Sequence, residues 1–139
     1  MNVLYTATAT ATGGREGKVR SSDGTLDMPL AMPKELGGSG RPATNPEQLF
    51  AAGYAACFEN ALRRVARERK TPISESSVTA SVGIGRTAEN FFQLKVDLAV
   101  SVPGRDRAEV EEMARIAHEQ VCPYSRATRG NIDVNVLVA

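Results

Sequence analysis

Apolar and polar residues alternate in three parts of the chain, and each part predicts a strand. Val78, Ala80, Val82 and Ile84 share one face of an extended segment. Phe92, Leu94, Val96, Leu98, Val100 and Val102 share another over eleven residues, and Ile132, Val134, Val136 and Val138 share a third. A period of two is the mark of a strand with one buried face. Ala88-Glu89-Asn90 suits a hairpin turn between the first two. The Thr-rich stretch VLYTATATAT, residues 3–12, also alternates and reads as a strand. Gly13 and Gly14 then turn the chain, so GGREG is a hairpin connection carrying Arg15. A second strand near 17–22, a turn at Ser22-Asp23-Gly24 and a short third strand over 25–28 follow.

The period lengthens in NPEQLFAAGYAACFENALRR, residues 45–64. Asn45 can cap a helix, Pro46 fits the first helical position, and Gln48 stands where a capping-box side chain reaches back. The helix should run from about 46 to about 70 and end before Pro72. Its first half is apolar almost all round, which predicts cover by other elements. Its second half, RRVARERK, reads as a solvated end. Beyond Pro103-Gly104, Asp106 and Glu109 form a capping-box pattern. A second helix should run to about Val121 with Val110, Met113, Ala114 and Ala117 inward. It stops at Cys122-Pro123, because the residue before proline avoids helical geometry. The order is βββ-α-ββ-α-β, an α+β fold, expected as one domain over 1–139. The stretch Pro29–Thr44 reads as a long irregular loop, and loops of this length in small chains often carry function.

Composition removes several functions. Seventeen basic and sixteen acidic residues leave a net charge of +1, which gives no electrostatic footprint for nucleic acid. Four Phe, three Tyr and no Trp make a base-stacking platform improbable. No apolar run is long enough to span a membrane. MNVLYTATATATGG has no basic segment before an apolar core, so no secretory signal is expected and the cytoplasm is the expected location. The Gly-rich loop lacks the GK[ST] ending of a phosphate cradle.

The two cysteines, Cys57 and Cys122, lie 65 residues apart. With one His and no CxxC pair, a tetrahedral metal site cannot be assembled, and no metal is expected. Three readings stay open from the residues alone. Both thiols could be inert core groups. They could form a structural disulfide, stabilising by about 4 kcal/mol in the chain-entropy picture. Or they could be a peroxidatic and resolving pair. The last reading requires Cys57 as a thiolate, and burial alone opposes that. Arg15, aimed from its Gly-flanked turn, is the candidate cation. Glu47 could orient it through a bidentate pair. Glu47 and Cys57 are ten residues apart on one helix, about 15 Å along its axis. A shared site therefore needs a long Arg between them, or a Glu from a second subunit. Phe50, Tyr54, Leu49, Phe58 and the loop residues Met28, Leu30, Met32 and Leu36 could line an apolar cleft.

Three segments together resemble the organic hydroperoxide resistance (Ohr) branch of the Ohr/OsmC family: ATATGGREG at 9–17, NPEQLFAAGYAACF at 45–58 and VCPYSRATRGNI at 121–132. The resemblance runs essentially the full length. It implies a thiol-dependent peroxidase with Cys57 as peroxidatic cysteine, Cys122 as resolving cysteine, and Arg15 and Glu47 as the activating pair. It implies an intertwined homodimer, with two central helices packed by β-sheets. It also implies reduction of alkyl or fatty-acid hydroperoxides through a Cys57–Cys122 disulfide. An external dithiol, dihydrolipoamide on lipoylated proteins, would restore the thiols. Arg126 stands where relatives commonly carry Asn. Two alternatives accompany this reading: an OsmC-type peroxidase of broader peroxide use, and a non-catalytic redox sensor or apolar-ligand carrier.

Overall fold

A computed structural model describes all 139 residues. The chain forms two compact units, Met1–Leu49 and Phe50–Ala139.

The first unit is built on a three-stranded antiparallel sheet: β1 (Ala9–Thr12), β2 (Lys18–Ser21) and β3 (Asp27–Pro29). β1 is shorter than its alternation predicts. Thr8 still accepts a backbone bond from Ser22, at 2.9 Å, but β2 has by then reached its turn. Residues 3–7 therefore meet no neighbouring strand, and Leu4 and Tyr5 stay 92% and 82% exposed. β3 begins two residues late because Ser21 and Asp23 hold the preceding turn. Asp23 Oδ1 accepts from Thr25 N at 3.0 Å, and Ser21 Oγ accepts from Leu26 N at 2.9 Å.

Between β1 and β2 the chain makes one 3-10 turn, Gly14–Glu16, which carries Arg15. Gly13 has φ 73°, a left-handed conformation that glycine adopts without strain. At Gly17 a Cβ would lie 1.7 Å from the Thr12 carbonyl oxygen, so no larger residue fits there. The loop after β3 is irregular apart from a 3-10 turn at Lys34–Leu36. It is pinned at its ends: Leu30 bridges to Thr44, and Arg41 donates to the Leu30 carbonyl at 2.8 Å.

α1 (Pro46–Glu68) is one continuous helix. Asn45 Oδ1 accepts from Gln48 N at 2.8 Å, the capping bond the sequence predicts. The Gln48 side chain differs from expectation. Its Oε1 accepts the Thr44 hydroxyl at 3.0 Å instead of reaching back to Asn45. Thr44 is buried, so its hydroxyl has no water to turn to.

The second unit holds the main core. β4 (Ser77–Arg86) and β5 (Phe92–Ser101) form an antiparallel hairpin, turned at Asn90 with φ 68°. β6 (Val134–Val138) pairs parallel to β5. A parallel neighbour requires a crossover. That crossover consists of α2 (Arg107–Ile116), a π turn (Ala117–Val121) and α3 (Pro123–Thr128). Asp106 caps α2 by accepting from Glu109 N at 3.1 Å.

Tyr54, Phe58, Leu62 and Val65 of α1 pack in one cluster with Val96, Leu98 and Val100 of β5 and with Val110 and Met113 of α2. Burying each large apolar side chain stabilises by about 1.5–3 kcal/mol. Two expectations need correction. The first half of α1 is not covered all round: Ala52 and Ala56 face outward and are exposed, because no element of the chain lies on that small-residue stripe. The crossover also carries a third helix, α3, which the βββ-α-ββ-α-β reading lacks. Pro123 ends one helix and starts the next, since its fixed φ and missing N–H suit a first helical position.

Candidate active site

Arg15 and Glu47 meet within the first unit. Arg15 Nη1 donates to Glu47 Oε2 at 2.8 Å, and Nη2 donates to Oε1 at 2.6 Å. This is the forked pairing that matches a planar guanidinium to a carboxylate. Glu47 lies in the first turn of α1, where the helix dipole also favours a negative charge. The hydrogen bonds from Arg15 hold the Glu47 carboxyl below its ordinary range. The same bonds push the guanidinium up, so it stays charged at every working pH.

Cys57 and Cys122 meet within the second unit. Their Sγ atoms are 3.6 Å apart, and both are free thiols. Cys57 sits midway along α1 and is partly buried. Cys122 is buried, in extended conformation between the π turn and α3. A disulfide needs about 2.05 Å. The sulfurs are therefore unbonded but close enough to link by a small shift. Burial pushes the Cys57 thiol up, and Cys122 beside it adds to that. The backbone N–H of Tyr124 pulls the other way, toward the thiolate. Tyr124 lies in the first turn of α3, where an N–H has no partner inside the helix.

An apolar cleft of about 590 Å³ opens on the second unit, lined in part by Phe50, Tyr124, Phe92, Leu94 and Ile132. The Phe50 and Tyr124 rings lie 6.2 Å apart. Tyr54 is 0% exposed and backs both, at 6.0 Å from Phe50 and 5.7 Å from Tyr124. Gly53 faces the same ring: a Cβ there would stand 3.0 Å from the Tyr124 hydroxyl. Met32 and Leu36 belong to the loop of the first unit and are partly buried there. No cluster of three or more His, Cys, Asp or Glu could hold a metal ion.

These paired groups lie in the three segments where the resemblance was found, and comparison with known proteins agrees with it. The OsmC-like protein family matches residues 37–137. An organic hydroperoxide resistance protein of Xanthomonas axonopodis pv. citri is 56% identical over 99% of this chain and 96% of its own length. The organic hydroperoxide resistance protein OhrA of Bacillus subtilis is 50% identical over 98% and 96%. The chain belongs to the OsmC-like family. A crystal structure from Legionella pneumophila, named as an organic hydroperoxide resistance protein OsmC, superposes with a TM-score of 0.93. It covers 99% of both chains at 51% identity. The α+β architecture with two sheets is therefore that of the family.

Two contributors in this OsmC-like chain escaped the sequence reading. One is the Tyr124 N–H, whose signal was Pro123 at a helix start. The other is a buried hydroxyl chain around Tyr54, Ser125 and Thr128. Its members sit at helical spacings that read equally well as packing.

Proposed function

We propose that the protein is a thiol peroxidase that reduces organic hydroperoxides to alcohols. The observation that carries this reading is the 3.6 Å approach of two free thiols. Relatives at 50–56% identity named for organic hydroperoxide resistance support that substrate class. The apolar cleft beside Tyr124 supports alkyl and fatty-acid hydroperoxides over hydrogen peroxide.

A buried Cys57 thiolate needs a positive charge nearby, and the family resemblance assigns that role to the Arg15 guanidinium held by Glu47. The thiolate attacks one peroxide oxygen and the O–O bond breaks. The alkoxide leaves and takes a proton to become the alcohol, while Cys57 becomes a sulfenic acid. Arg15 also stabilises the charge growing on the leaving oxygen. The Cys122 sulfur then bonds to the Cys57 sulfur as the S–O bond breaks, and hydroxide departs with the Cys122 proton as water. A dithiol, dihydrolipoamide on a lipoylated protein, returns both thiols by exchange. The same reading assigns the reaction to the cytoplasm.

The working unit is a homodimer. Val3, Leu4 and Tyr5 in the first unit, and Ala52 and Ala56 of α1 in the second, each leave exposed apolar surface that a second copy would cover. Turnover of cumene hydroperoxide with dihydrolipoamide tests the reading. Multiple turnovers, lost in Cys57→Ser and faster than with hydrogen peroxide, are expected. Equal use of both peroxides places the chain with peroxidases of broader range. A single oxidation without turnover makes it a redox sensor and overturns the proposal.

A further inference from the structure

A chain of hydrogen bonds crosses the core of the second unit and brackets Cys122. His118 Nδ1 lies 2.9 Å from Ser125 Oγ. Ser125 Oγ lies 3.0 Å from the Tyr54 hydroxyl, which lies 3.2 Å from Thr128 Oγ1. Thr128 Oγ1 donates to the carbonyls of Tyr124 and Ser125, at 3.0 and 3.2 Å. Proton counting fixes the direction, because each hydroxyl has one proton to give and a carbonyl has none. Thr128 gives its proton to a carbonyl and so accepts from Tyr54. Tyr54 accepts from Ser125, and Ser125 accepts from His118 Nδ1–H. The imidazole heads the chain as a donor, which sets its tautomer. Tyr54 and Ser125 are 0% exposed, so neither can exchange its partner for water.

The chain ties three elements together at the cysteine. Tyr54 is on α1, three residues before Cys57. His118 is in the π turn, and Ser125 and Thr128 are on α3. Cys122 falls between His118 and Ser125, and its own N–H closes the π turn on the Ala117 carbonyl at 2.8 Å. Such turns are uncommon inside helices and concentrate at functional sites. The Arg129 guanidinium adds a bond to the His118 carbonyl. His118, the one histidine of the chain, is thus fixed at both its ring and its backbone.

We propose that His118 is a positioning residue for disulfide formation. Its Nδ1–H bond to Ser125 locks the start of α3 against the π turn, and this keeps the Cys122 sulfur facing Cys57. The proposal rests on the peroxidase reading and deepens it. In the step concerned, the S–S bond forms and the sulfenic S–O bond breaks. Hydroxide leaves with the Cys122 proton, and His118 exchanges no proton.

Two substitutions separate positioning from general support. His118→Asn places an N–H near the position of Nδ1, whereas His118→Gln carries its N–H one bond farther out. A single turnover with cumene hydroperoxide, quenched by alkylation and read by mass, follows Cys57 oxidation and the 57–122 disulfide separately. His118→Gln should oxidise Cys57 at the parental rate and form the disulfide about tenfold more slowly, the effect of one well-placed hydrogen bond. Dimedone should trap its sulfenic acid, and His118→Asn should restore disulfide formation. Ser125→Ala repeats the test from the accepting end and should resolve slowly too. Parental disulfide formation in both His118→Gln and Ser125→Ala overturns the proposal. So does equal slowing of both steps, the mark of general damage. If the hydroperoxide leaves parental Cys57 unoxidised, the peroxidase reading fails instead. Diamide oxidation of the two thiols then still compares the variants, and equal rates overturn the positioning role.

Discussion

Replacing Glu47 by Gln removes one charge and leaves the side-chain shape almost unchanged. Glu47 takes two contacts from Arg15, at 2.6 and 2.8 Å. Its side chain is 12% exposed and that of Arg15 is 34%. A hydrogen bond to a charged group contributes about 1.5–3 kcal/mol when enclosed, and an exposed ion pair contributes about 0–1 kcal/mol. With one partner a third exposed, the value falls between. Gln keeps one acceptor, so a loss of about 1 kcal/mol and about 3 °C in Tm is expected. The carboxyl titrates lower folded than unfolded. The pair's contribution is therefore full above the ordinary value of 4.5 and fades as pH falls through the folded value. The gap between parent and variant should close in acid.

The chemical effect should exceed the structural one. An untethered guanidinium spreads over its rotamers, and under the proposed mechanism the Cys57 thiolate loses its activating charge. Its alkylation midpoint should move to higher pH, and kcat/KM for cumene hydroperoxide should fall about tenfold. Iodoacetamide rates across pH, urea melts and steady-state turnover measure the three effects. A variant that loses the expected stability but keeps the parental alkylation midpoint and kcat/KM would show the pair to be structural only. Arg15 would then have no part in activating the thiol.

Cys122→Ser should oxidise Cys57 once and stop at a sulfenic acid, visible by mass after dimedone trapping, whereas Cys57→Ser should consume no peroxide. Gly53→Ala should gain up to about 1 kcal/mol of helix propensity. Its methyl would push on the Tyr124 ring, which is 40% exposed and free to give way, so KM for bulky hydroperoxides should change while urea stability holds or rises. His118 is held below its ordinary value of 6.5 by burial, then by the nearby Arg129, with Glu119 opposing. The unfolded state therefore binds the proton first, so stability is full above about pH 6.5 and declines as pH falls toward the folded value. Urea midpoints from pH 7 to 5 should show that slope in the parent and a smaller one in His118→Asn.

The strands of the second unit were legible because each has one buried face, and alternation records that directly. Arg15 and Glu47 could be named because a carboxylate in a first helical turn and an Arg in a Gly-flanked turn are both local signals. That they meet is a long-range fact. The two cysteines left three readings open, since spacing along a chain does not encode a 3.6 Å approach. β1 is shorter than its alternation suggests because Val3 and Tyr5 alternate like strand residues, whereas pairing depends on the length of β2. α3 is hidden in the sequence because a proline signals both a stop and a start, and Pro123 does both. The uncovered stripe at Ala52 and Ala56 illustrates a general limit: hydropathy says that a face prefers burial, not what buries it.

The central claim is that Cys57 and Cys122 work as a peroxide-oxidised pair. Intact and peptide mass spectrometry after one equivalent of cumene hydroperoxide tests it directly. The account predicts loss of two hydrogens and one cross-linked peptide joining residues 57 and 122. A chain that keeps both thiols, or that goes to sulfinic acid at Cys57 without a cross-link, would contradict it.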